Sequence, residues 1–213
     1  TPTAGQTKAF GAADPALTYA DVAAVVADET PAFDGALTRA AGEAVGTYAI
    51  SQGTLVLKDN GDFKAANYSL AFTPGATFAI TAKNANTLTI ADIASRAYTG
   101  LAQTPAPEVK DGDTVLVKDR DYTLSYAANT NAGSAAAKVI VTGKGNYTGT
   151  QDKTFTITPV AFTVTPKANQ SKLFGNLDPA LTYTFTGAVN GEGRGFAIDG
   201  ALTRAAGETL GTY

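Results

Sequence analysis

Two short acidic turns are the first places to look for chemistry. Asp59-Asn60-Gly61-Asp62 and Asp111-Gly112-Asp113 offer oxygen ligands of the kind calcium takes. A calcium loop between two helices spaces its ligands as D-x-[DN]-x-[DN]-G with a Glu beyond. Neither turn has that spacing, so ordinary hairpin turns are expected. Asp119 and Asp121 flank Arg120, which suits an exposed strand edge better than the two carboxylates across a cleft that glycoside hydrolysis needs. Gly143-Lys144-Gly145-Asn146 has the glycines and lysine of a phosphate loop but not its strand–GxxxxGK[ST]–helix setting, and reads as a turn. Arg39 and Arg204 precede Glu43 and Glu208 by four residues; read alone, each is a surface ion pair worth little. Asn67, Asn146 and Asn169 stand in glycosylation-type tripeptides, which carry no role here. A Lys–Asn cross-link needs Lys, Asn and an acid buried together, and no spacing selects such a trio.

Composition narrows the chemistry further. The 213 residues include no His, Cys, Met or Trp. Without Cys there is no disulfide and no thiolate. Without His or Cys the best ligands for zinc, copper and iron are missing, as is the usual base for a nucleophilic Ser. No catalytic, cofactor-binding or metal residue is therefore named. No cofactor is expected, calcium being the one candidate. The net charge is −3, from sparse charges of mixed sign. A basic stripe is absent, so nucleic acid is not an expected partner. No apolar run approaches the ~18–20 residues of a membrane span, so this segment is not expected to insert in a membrane.

The elements around these turns read as strands. Tyr68–Phe72, Phe78–Thr81, Tyr122–Tyr126, Lys138–Thr142, Thr154–Thr158 and Ala161–Thr165 are short and rich in β-branched and aromatic residues with alternating polarity. Gly, Asn and Asp clusters separate them. Many short strands with regular turn signals predict an all-β fold: tandem small immunoglobulin-like β-sandwich modules in an elongated array. The alternative is β-grasp-like modules with one short helix. The Ala-rich Ala16–Ala27 is the only helix candidate; a strand at Leu17–Tyr19 and a loop at Val22–Glu29 are expected instead. Tyr48, Tyr68 and Tyr147 each follow a turn residue. A ring there can be buried with its hydroxyl returned to backbone, as in a tyrosine corner. Gly46, Gly143 and Gly149 fit turns that need positive φ or close approach.

The chain also repeats itself. TPTAGQTKAFG (Thr1–Gly11) returns as TPKANQSKLFG (Thr165–Gly175), and DPALTY occurs at Asp14–Tyr19 and Asp178–Tyr183. DGALTRAAGEAVGTY (Asp34–Tyr48) returns as DGALTRAAGETLGTY (Asp199–Tyr213). The offset is 164 residues before one inserted residue and 165 after it. A long internal repeat marks an array, of modules of ~75–80 residues, near the lower limit for a self-sufficient core. The expected modules are 1–82, lacking its first strand; 83–158, of a second type; and 159–213, truncated. The run KxFGxxDPALTY, GALTRxxGExxGTY and NYxLxF resembles the MBG family of repeat modules found in large surface proteins of bacteria. The middle segment (Tyr98–Thr158), with DYTLSYAANTNAG and GKGNYTGT, is similar to another module of bacterial surface proteins. The resemblance implies an extracellular, non-enzymatic structural stalk or fibre segment of an adhesin or surface filament, whose partners are neighbouring modules. The alternatives are repeats that bind glycan, mucin or another surface ligand multivalently, and a filament subunit that completes its sheets with strands from other copies.

Overall fold

The structure is a computed structural model and describes residues 1–20, 26, 29–192 and 199–213. It is all-β and sandwich-type. The strands run in chain order as β1 (Gln6–Ala9), β2 (Ala32–Asp34), β3 (Thr38–Arg39), β4 (Gly46–Ser51), β5 (Val56–Lys58) and β6 (Thr77–Thr81). They continue as β7 (Lys83–Asn84), β8 (Thr89–Ile90), β9 (Arg96–Ala97), β10 (Val109–Asp111), β11 (Thr114–Val115) and β12 (Tyr122–Ala127). The rest are β13 (Gly133–Gly143), β14 (Tyr147–Thr148), β15 (Thr150–Thr158), β16 (Thr163–Pro166) and β17 (Tyr183–Thr186). Among the described residues the helical ones form two 3₁₀ turns, Ala65–Asn67 and Ala85–Thr87. The larger sheets are ordered β1–β6–β4–β3, β11–β10–β8 and β12–β13–β15–β9.

Contacts divide the chain into two compact units: Thr1–Ala91 with Glu108–Ser125 and Val141–Gln151, and Asp92–Pro107 with Tyr126–Ile140 and Asp152–Tyr213. The first unit holds two cores. One gathers Leu37, Ile50, Leu55, Phe78 and Ile80, and is organised by β6. The TFAIT sequence of β6 alternates, so Phe78 and Ile80 point inward while Thr77 and Thr81 face out, as a half-buried strand requires. β6 runs parallel to β1 and antiparallel to β4. The second core gathers Leu88, Val109, Leu116, Tyr122, Val141 and Tyr147 with their neighbours. In the second unit, β9 runs parallel to the end of β15, where Phe155 and Ile157 are buried. β16 and β17 form an antiparallel ladder from Thr163↔Thr186 to Pro166↔Tyr183.

Most expected strands are present, with instructive exceptions. Tyr68–Phe72 forms no strand. Its side chains still alternate, with Tyr68, Leu70 and Phe72 half-buried and Ser69 and Ala71 exposed. Alternation reports which face a residue takes, and this segment has the faces without a ladder partner among the described residues. Leu17–Tyr19 is likewise reduced to a single bridge, Pro2↔Tyr19, whereas its repeat contributes Tyr183 to β17. The loop expected at Val22–Glu29 lies mostly outside the described residues, as does the second half of the helix candidate Ala16–Ala27, whose first half, Ala16–Ala20, is not helical. Ala161–Thr165 begins as a strand only at Thr163, so Pro159–Phe162 separate β15 from β16.

Candidate functional site

Each turn singled out for chemistry does local structural work. Asp59 Oδ1 accepts the amide of Ala65 at 2.8 Å and so caps the first 3₁₀ turn. Asp111 opens the hairpin between β10 and β11. Its carboxylate accepts from Lys83 at 2.5 Å and from the Tyr147 hydroxyl at 3.2 Å. Burial, with the Asp111 charge second, pushes the Tyr147 phenol up to about 12. Among the described residues no three His, Cys, Asp or Glu side chains converge on a metal-sized site. Asp121 is buried, contrary to the exposed edge expected for it. Its Oδ2 accepts the Val117 amide at 2.8 Å, and Arg120, chiefly, holds its carboxyl below the ordinary range. Gly143-Lys144-Gly145-Asn146 is a turn: the Tyr147 amide bonds Lys144 O, and Lys144 Nζ bonds Asp119 O at 2.7 Å. Asn146 is held in place, its Oδ1 accepting the Val45 amide at 2.9 Å and its carbonyl accepting from Lys83.

The pairs dismissed as isolated surface bridges belong to a larger construction. Lys8 on β1, Asp14 in the following loop, Arg39 on β3 and Glu43 after it close a ring of alternating charge. Lys8 Nζ lies 2.5 Å from Asp14 and 2.5 Å from Glu43. Arg39 grips Asp14 with two bonds, Nε at 2.7 Å and Nη2 at 3.0 Å, and reaches Glu43 at 2.5 Å. Its Nη1 donates to the carbonyls of Ala40 and Gly42 at 3.0 and 2.6 Å. The guanidinium lies 5.1 Å from the Tyr48 ring centre and 5.4 Å from that of Phe78, within cation–π range. The two cations are almost covered, while the carboxylates face solvent.

The ring is built twice. Lys172 lies 2.7 Å from both Asp178 and Glu208. Arg204 holds Asp178 at 2.8 and 2.9 Å, Glu208 at 2.6 Å, and the carbonyls of Ala205 and Gly207 at 3.0 and 2.6 Å. Tyr213 takes the place of Tyr48, 5.2 Å from the guanidinium. The arginine in each copy, with the lysine second, holds Asp14 and Asp178 down at about 2. Glu43 and Glu208 are lowered, first by Lys8 and Lys172. Lys8 and Lys172 are raised, first by Asp14 and Asp178.

Two smaller devices repeat with the ring. Gln6 enters the backbone ladder in place of a residue. Its Oε1 accepts the Thr18 amide at 2.7 Å, and its Nε2 donates to Thr3 O and Thr18 O. Gln170 does the same at Thr182 and Lys167. The Tyr48 hydroxyl returns to Ala44 O at 2.6 Å, and that of Tyr213 to Thr209 O at 2.8 Å. The tyrosine corner expected at Tyr48 therefore forms. Tyr68 and Tyr147 bond the carboxylates of Glu29 and Asp111 instead of backbone. Gly42 has φ near 142°, and a Cβ there would overlap the Tyr48 ring, so the ring and the glycine require each other. Gly149 takes positive φ and Gly143 a close approach, as expected; Gly46 shows neither.

Sequence reasoning found Arg39 with Glu43 but not Lys8 or Asp14. The signal was available: all four residues sit in blocks identical between the copies at those positions. Chemically the ring satisfies itself, each charge facing two opposite charges, with no nucleophile beside a base. The first unit also carries an apolar cleft of about 440 Å³, walled by Tyr19, Phe33, Leu55, Leu57, Leu70 and Phe72 among others.

A family model described as "MBG domain (YGX type)" matches residues 1–79 and 162–213. No curated protein and no solved structure matches the chain.

Proposed function

The chain belongs to the MBG domain (YGX type) family, and from that premise we propose that it is a non-enzymatic, load-bearing stalk or fibre segment of a large repetitive extracellular protein of a bacterial surface. One observation carries this reading: the Lys–Asp–Arg–Glu ring, the glutamine clamp and the tyrosine corner are each built twice in one chain. An active site is assembled once; a fold-stabilising device recurs wherever the module recurs. In this reading the modules are 1–82, 83–158 and 159–213. Within the first unit, the Phe10 ring meets Tyr147 edge-on at 5.5 Å, and Asn146 holds Val45. These contacts support close packing of the first module on the second, suited to bearing tension.

The cleft of about 440 Å³ favours a second reading, in which the first module also holds a ligand; its volume lies within the ~300–1,000 Å³ of ligand pockets. Repetition would then supply avidity. Small-angle scattering on the chain, and on two chains fused in tandem, tests the stalk. A stalk nearly doubles its maximum dimension in the fusion. A fusion that collapses to a globule, with little increase, overturns the stalk reading.

A further inference from the structure

Where the first and last strands of a module lie decides how tension passes through it. In the first module the entering strand β1 and the leaving strand β6 are direct neighbours and run parallel. Gln6 lies level with Phe78, and Ala9 with Thr81. The chain therefore enters this ladder at one end and leaves it at the other. Tension along the chain drives the two strands past each other, so their backbone bonds carry the load together. An antiparallel hairpin pulled from its two ends opens one bond at a time instead. The Phe10 amide, just past β1, lengthens the ladder by donating to Thr81 O at 2.8 Å. On its other side β6 pairs antiparallel with Gly46–Ala49 of β4, so withdrawing it drags it along a second ladder. Its inward side chains, Phe78 and Ile80, are buried, which keeps water from that face. Lys8 braces β1 further by reaching Glu43, ahead of β4.

The second module has the same arrangement in two pieces. Its entering strands are β7 and β9, and its leaving strands are β14 and β15. β7 runs parallel to β14, with Lys83 level with Tyr147. β9 runs parallel to the end of β15, with Arg96 level with Ile157. The Lys83 amide donates to Asn146 O at 3.0 Å and the Tyr98 amide to Thr158 O at 2.8 Å, adding a bond to each pair. The blocks that repeat around DPALTY are absent from this module, so the shared pairing of first and last strands is not a by-product of shared sequence. A parallel pair is slightly less stable per residue than an antiparallel one. Its use between terminal strands in both modules is therefore explained by the direction of load better than by equilibrium stability. We propose that these parallel pairs are mechanical clamps, each holding its module closed against tension applied along the chain. The inference deepens the stalk reading and rests on it for its use. The two fail separately, because scattering reads length and pulling reads where the load falls.

The chain has no cysteine, so thiol handles for optical tweezers can be placed on the full 213 residues without competition. Ala4→Cys with Ala82→Cys grips β1 and β6 at opposite ends of their ladder. Ala4→Cys with Thr77→Cys grips them at the same end. All three positions lie outside the buried core, where substitutions change stability little. Forced unfolding reads the unfolding rate. At one constant force, the opposite-end variant is expected to unfold at least ~30-fold more slowly than the same-end variant, the factor that about two ordinary backbone bonds supply when they must break together. Equal rates, or a slower same-end variant, overturn the proposal. Urea applies no direction, and the two variants are expected to unfold in it at equal rates. A ~30-fold difference in urea as well would assign the effect to stability and overturn the proposal too.

Discussion

Lys8, Asp14, Arg39 and Glu43 are drawn from four places in the chain, and only the Arg39–Glu43 pair has a sequence spacing that announces it. The Lys8 and Asp14 contacts depend on β1 and β3 being brought to one face, which no local pattern encodes. Identity between the two copies marked these residues as constrained without saying what they touch. Their pH dependence follows from their pairing. Asp14 and Asp178 have an ordinary value of 3.8 and are held at about 2 when folded. Between these values the unfolded chain binds more protons than the folded one, so stability rises with pH. The contribution is complete above about pH 4 and is lost as pH falls through about 2. Added salt weakens it, because the carboxylates face solvent. Thermal melts from pH 5 to pH 2 are expected to show a falling Tm, with a shallower fall in the Asp14→Asn/Asp178→Asn variant. An unchanged slope in that variant would refute the assignment.

At the scale of elements, β6 carries the first core and β13 shows how well alternation reads. On β13, Val139 and Val141 are buried while Lys138 is exposed, as KVIVT suggests. The Thr77–Thr81 and Thr154–Thr158 strands are equally legible. Tyr68–Phe72 has the same periodicity and the same alternating burial, yet no pairing partner among the described residues. Period two follows from an extended backbone over an apolar surface; pairing depends on which backbone lies alongside, a non-local fact. The apolar cleft was invisible for the same reason, its walls coming from segments distant in sequence. The central place of β6, between a parallel and an antiparallel neighbour, sets the cost of damaging it. Phe78→Ala removes a fully buried ring and the guanidinium's second aromatic contact. A loss of about 3–5 kcal/mol is expected in urea denaturation. A loss below about 1 kcal/mol, the centre of the range for point substitutions, would mean that β6 does not organise this core.

Across the whole molecule, the same sequence blocks are folded twice, which makes the chain its own control. The glutamine clamp forms in both copies, with Thr18 donating to Gln6 and Thr182 donating to Gln170. The tyrosine corner and the charged ring close in both. Burial differs. The first copy stands on Leu37, Ile50, Phe78 and Ile80, whereas none of the described residues after Ile157 is buried. Hydrogen bonds and ion pairs at a wet surface exchange for bonds to water at small net gain, so they set local geometry without resisting opening. Resistance comes from apolar area that must be exposed when the segment opens. Native-state amide exchange should therefore separate two bonds that look alike in geometry. Thr182 is expected to exchange at least ~10-fold faster than Thr18, since each 1.4 kcal/mol of opening free energy is a factor of ten. Equal rates would show that the polar devices alone hold the second copy closed, and apolar burial would lose its place as the source of resistance to opening.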